Sequence, residues 1–131
     1  MSKESKVIGL EQVFRVTVIV PSHNGFSEKV IEAILAHDPL RYGDGYDQVT
    51  FESAIGLEKY RTLRGANPTV GKEDQQSSVP SIELSFTLPR GGSKDSVHLR
   101  EVLDAIVKVH PWEEPQIFIQ EVLATRTKTK L

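Results

Sequence analysis

The sequence predicts an α+β sandwich in which two helices cover one face of a four-stranded antiparallel sheet. Two-residue and 3.6-residue apolar periods alternate along the chain in the order strand, helix, strand, strand, helix, strand. One run, from Ser81 to Leu88, has a fully apolar face and a fully polar one, the signature of an antiparallel sheet wet on one side. A length of 131 residues suits one such domain. On a chain of this size the βαββαβ order is the ferredoxin-like split motif.

The first strand is VFRVTVIV, Val13 to Val20, with Phe14, Val16, Val18 and Val20 on one face and Val13 and Ile19 on the other. PSHNGF breaks it. Phe26, Val30 and Ile34 then recur at helical spacing, with Asn24 or Ser27 placed to cap the start and Pro39 to stop the chain from continuing. PLRYGDGYD, residues 39–47, is dense in turn formers, and QVTFESA after it alternates as a second strand that EKYRTL extends past a bend at Gly56. Residues 64–78 hold almost no apolar side chain and read as a long loop, a length uncommon in compact domains unless it is functional or disordered.

The third strand follows with Ile82, Leu84, Phe86 and Leu88 inward. After PRGGSKD, residues Leu99, Val102, Leu103, Ile106 and Val109 keep helical spacing, with Asp95 or Ser96 as the cap and His110-Pro111 as the stop. A last strand runs from Gln116 to Ala124, with Ile117 and Ile119 opposite Phe118 and Val122. These boundaries give a flexible segment at 1–12, one domain at 13–124 and a basic tail at 125–131. Two helices can cover only one sheet face. Val13, Ile19, Phe118 and Val122 on the other imply a homo-oligomer, a trimer or a dimer.

Sixteen basic residues against eighteen acidic ones, with a pI near 6.1, leave no basic stripe for nucleic acid. Mean hydropathy of -0.28 and short apolar runs argue against a membrane span. With no cysteine there is no disulfide, thiolate metal site or thiol nucleophile, and the sequence reads as cytoplasmic.

HPWEEP, His110 to Pro115, concentrates the most chemistry: an imidazole, the only Trp, two carboxylates and two prolines between a helix and a strand. It resembles the HPYEEP ending of the small PII/CutA-like domain inserted in YqfO-type members of the Nif-three family, and the HPYE-x-P ending of CutA. GLEKYRTLRGANPTVG, Gly56 to Gly71, is similar to that insert's G-x-x-x-F-x-P-x-x-G-A-x-P-x-x-G stretch, with Tyr60 in the aromatic place. GDGYDQVTF, Gly43 to Phe51, is similar to its G-x-Y-x-x-C-x-F stretch, with Val49 where a Cys is usual. The matches run in order through residues 13–123. KEDQQSSVPS departs from the acidic lead of the insert's third strand. The resemblance implies a stand-alone PII/CutA-like module, a trimer or other small oligomer, with small molecules or metal ions in clefts between subunits. Four scattered His cannot rebuild the separate dimetal domain of the Nif-three family, so its hydrolase-like chemistry does not carry over.

The ligand-binding candidates are His23 after the first strand, Arg61, Arg64 and Lys72 as an anion clamp flanking the loop that holds Gly65, Asn67 and Gly71, and Trp112. His110, Glu113 and Glu114 are candidate ligands for a divalent metal ion, since imidazole and carboxylate suit such ions. The architectural alternative is a turn in which Pro111 ends the helix, Trp112 packs on a sheet edge and a Glu holds backbone amides. Three functions fit: a non-catalytic oligomeric module binding a small anionic ligand or a divalent metal at subunit clefts; a small enzyme with His110 or His23 as base and Glu113 or Glu114 orienting it; or a purely structural assembly module.

Overall fold

A computed structural model of the chain describes residues 6–129. The elements are β1 (Lys6–Pro21), α1 (Phe26–Leu35), β2 (Phe51–Glu52), β3 (Gly56–Arg61), β4 (Gln76–Pro89), α2 (Ser93–Val109) and β5 (Ile117–Thr129). The predicted second strand is broken at Ser53–Ile55, so β2 and β3 both lie on β4, and the sheet runs β2/β3, β4, β1, β5 with every pairing antiparallel. This is the predicted order with its edge strand in two pieces.

The alternating faces place the core as expected. Val16, Val18 and Val20 of β1 and Ile82, Leu84, Phe86 and Leu88 of β4 are buried beneath Val30 and Ile34 of α1 and Val102 and Ile106 of α2. Each such side chain contributes roughly 1.5–3 kcal/mol. On the other face the sheet is mixed. Thr17 and Ser85 bond to each other through their hydroxyls at 3.2 Å, while Phe51 and Phe118 flank them in the same row with 67% and 55% of their surface exposed. Of the apolar residues expected there, Val13 is buried by the chain itself, Ile19 and Val122 are half-buried and Phe118 is open.

Several boundaries differ from the sequence reading. Residues 6–12, expected to be flexible, continue β1 and pair with 123–129, which makes the first five residues of the expected basic tail part of β5. Residues 1–5, 130 and 131 lie outside the described residues. Because β4 stops pairing at Val13–Pro89, this stretch is a two-stranded arm, and its Ile8, Leu10 and Leu123 are 73%, 66% and 60% exposed. Arg90 fastens the point where the arm leaves the sheet, donating to the carbonyls of Val13 and Val122. At the opposite end β4 begins at Gln76, so the loop expected at 64–78 spans 62–75.

Neither helix uses the predicted side-chain cap. The residue before α1 is Gly25, which with Asn24 adopts left-handed backbone and lends its carbonyl to the Lys29 amide. The residue before α2 is Gly92, and Asp95 reaches back from the first turn to accept the Gly91 amide. The stop at His110 is as predicted.

Candidate functional site

β3 places Glu58 and Tyr60 on one face of the sheet edge, since alternate residues of a strand share a face. Glu58 is the centre of the site. Its Oε1 accepts the Ser81 hydroxyl at 3.1 Å and the Trp112 indole N–H at 3.0 Å, and its Oε2 accepts the Gln116 side-chain amide at 2.9 Å. One carboxylate thereby joins β3, β4 and both ends of the turn between α2 and β5. Tyr60 meets Trp112 edge to face, with ring centroids 6.1 Å apart.

The turn is ordered from within by His110. Its Nε2 donates to the Ile19 carbonyl at 2.7 Å, and its Nδ1 accepts the Trp112 amide at 3.0 Å, which fixes the neutral Nε2–H tautomer. Burial holds its pKa below the ordinary 6.5, against the opposing pull of the Ile19 carbonyl and the Glu58 charge.

The loop of residues 62–75 folds back onto this turn. The Thr69 hydroxyl donates to the Pro111 carbonyl, the Asn67 amide donates to Glu113 at 3.0 Å, and the Tyr60 hydroxyl donates to the Val70 carbonyl. Between β3, the loop and the turn lies a cleft of about 470 Å³ bordered by Glu58, Tyr60, Arg61, Thr69, Trp112, Glu113 and Glu114. A second cleft of about 390 Å³, at the break between β2 and β3, shares Glu58 and Gln116 as its wall.

No family model matches the chain. Over 108 residues it is 30% identical to a Listeria monocytogenes protein described as a GTP cyclohydrolase 1 type 2 homolog, covering 82% of this chain and 26% of that relative. Among solved structures, a Bacillus cereus protein related to NIF3 superposes with a TM-score of 0.65 at 23% identity, over 87% of this chain and 26% of the other. The divalent ion tolerance protein CutA1 from Ehrlichia chaffeensis superposes with a TM-score of 0.58 at 9% identity, over 86% of this chain and 82% of the other. The chain has a PII/CutA-like fold. It spans about a quarter of the length of the curated relative it matches.

Within this fold the candidate residues separate into three groups. Arg61, Trp112, Glu113 and Glu114 border the larger cleft, and the Asn67 backbone amide, outside its lining, bonds Glu113. Gly65 and Gly71 shape the loop instead: both have positive φ, and a Cβ on Gly71 would lie 2.6 Å from the Ser77 hydroxyl. Arg64 and Lys72 are exposed and border neither cleft, and Arg61 is paired with Asp74 at 3.5 Å, so the expected clamp of Arg61, Arg64 and Lys72 does not assemble. His23 packs edge-on against Phe26 in the turn before α1 and borders neither cleft.

The metal set does not converge. Both His110 nitrogens are committed within the chain, Glu113 holds the Asn67 amide, and among the described residues no three His, Asp or Glu side chains come close enough to share an ion. The expected His–Glu base pair does not form either: among the described residues, neither His110 nor His23 hydrogen-bonds a carboxylate. The His–carboxylate pair that does form is His98 with Asp38 at 2.7 Å, where Asp38 also accepts the Leu40 amide and pins the end of α1 to α2. Neither Glu58 nor this pair was singled out from sequence. The available hint for Glu58 was a lone carboxylate in the strand stretch GLEKYR beside an aromatic two residues on.

Proposed function

We propose that this PII/CutA-like domain is a non-catalytic homo-oligomeric binding module that takes a small molecule in the cleft between β3, the 62–75 loop and the HPWEEP turn. The observation that carries the reading is the convergence of three separate chain segments on that cleft around Glu58. A volume of about 470 Å³ with an aromatic wall and a few fixed polar groups is the usual form of a small-molecule site. His110 supports a binding role over a catalytic one, because the lone pair a general base would use already holds the Trp112 amide.

Assembly is supported by the apolar surface left open on the arm and by Phe51 and Phe118 on the uncovered sheet face. The trimer implied by the family resemblance would set clefts beside subunit boundaries. Among the described residues no helix is long and apolar enough to cross a membrane, and the absence of cysteine fits the cytoplasmic address we assign.

Light scattering tests the assembly: a mass of two or three times 14.6 kDa supports the reading, and 14.6 kDa rejects it. Competition between small molecules for a site reported by Trp112 fluorescence tests the binding role. A Trp112 signal unmoved by every class of small metabolite would remove it.

A further inference from the structure

Resting on that reading, we propose that the larger cleft selects an organic cation, an alkylammonium or guanidinium compound, rather than an anion or a metal ion. Its charged groups lie against Glu58, Glu113 and Glu114, and its carbon stem lies along Tyr60 and Trp112. A carboxylate offers about four acceptor positions, and the chain fills three of those on Glu58, leaving one at Oε2. Glu113 gives one oxygen to the Asn67 amide and keeps the other, and among the described residues Glu114 makes no side-chain hydrogen bond or ion pair.

The cations bordering the cleft do not balance these carboxylates. Lys59 and Arg61 both line it, and Arg61 is paired with Asp74, which leaves Lys59 against the three carboxylates. A site with three carboxylates, each with an acceptor position still open, repels an anion. Among the described residues these carboxylates do not form a group of three that could hold a metal ion. A ligand with N–H donors several bonds apart can meet more than one of them without such a cluster. The faces of Trp112 and Tyr60 add attraction for a cation that comes within about 6 Å.

The probes are putrescine and agmatine as cations, inorganic phosphate and adenosine monophosphate as anions, and magnesium as a metal, each titrated by calorimetry and by emission of Trp112, the only tryptophan. Putrescine or agmatine saturates the protein and shifts Trp112 emission, while phosphate, the nucleotide and magnesium leave both signals at background. Glu58→Gln weakens cation binding about tenfold or more, the loss of one charge-assisted hydrogen bond. Glu114→Gln, at an exposed position, weakens it without disturbing the fold and serves if Glu58→Gln loosens the turn. Saturation by phosphate, the nucleotide or magnesium without the cations overturns the ligand class and leaves the binding module standing. Silence from all five overturns both. Cation binding that both variants retain at full strength overturns the assignment to this cleft.

Discussion

The indole N–H of Trp112 donates to Glu58 at 3.0 Å across 54 residues of sequence, and the same carboxylate holds Ser81 and Gln116. This bond turns HPWEEP from a free loop into a wall of the cleft. Glu58→Gln keeps the shape but removes the charge from three hydrogen bonds, with an expected loss of about 1–3 kcal/mol in stability. Chemical denaturation checks the loss, and a red shift of Trp112 emission in the folded variant checks its cause. An unchanged denaturation midpoint with unchanged emission would mean that the carboxylate does not organise the turn.

His110 makes stability depend on pH. Burial lowers its folded pKa below 6.5 while the unfolded chain titrates near 6.5, so below that pH the unfolded state binds more protons. The contribution of neutral His110 is complete above 6.5, and it falls with pH until the lower folded pKa is reached. Denaturation midpoints of the wild type and His110→Gln, measured from neutral pH to about one unit below the ordinary His value, separate this residue from the other three His. The decline is shallower in the variant. Parallel curves would place the titration elsewhere.

Gly71 is held at φ +108 with the Ser77 hydroxyl 2.6 Å and the Thr62 hydroxyl 3.2 Å from where a Cβ would stand. Gly71→Ala strains the backbone and crowds both hydroxyls, an expected cost of about 1–3 kcal/mol. The strain falls on the base of the loop that carries Thr69 and Asn67 to the turn. Hydrogen exchange in that loop rises in the variant while β1 and β4 stay protected. Equal protection throughout would show that the loop base tolerates the methyl group.

How far the sequence reveals this fold differs by element. β1 and the inner half of β4 are legible because one face of each is buried, and burial writes a two-residue period into the sequence. The outer half of β4, QSSVP, is not: burial still alternates there, but the inward places are the half-buried Ser77 and the buried Val79, so no apolar period records it. The arm escaped for a related reason: Val7, Ile8 and Leu10 sit around Gly9 and beside Glu11 with no chain of their own to bury them. HPWEEP was legible as a turn, since two prolines bracket it. Its partner Glu58 was not, because a lone carboxylate acquires a role only through contacts distant in sequence. The Asp38–His98 pair, 60 residues apart, is hidden in the same way.

Ile8 and Leu10 leave most of their surface open on the arm, and a two-stranded ribbon alone is marginally stable in water. Replacing both with Ser removes apolar surface that the proposed assembly would bury but leaves the core untouched. Sedimentation then gives the single-chain mass of 14.6 kDa with a normal circular dichroism spectrum. An assembly as large as the wild type would show that the arm lies outside the subunit contact.

The central claim is a small-molecule cleft on a homo-oligomer, and native mass spectrometry with agmatine tests both halves in one spectrum. The account predicts an assembly of two or three 14.6 kDa chains, each carrying one agmatine, with the agmatine lost in Glu58→Gln. A lone 14.6 kDa chain that carries no agmatine would contradict it.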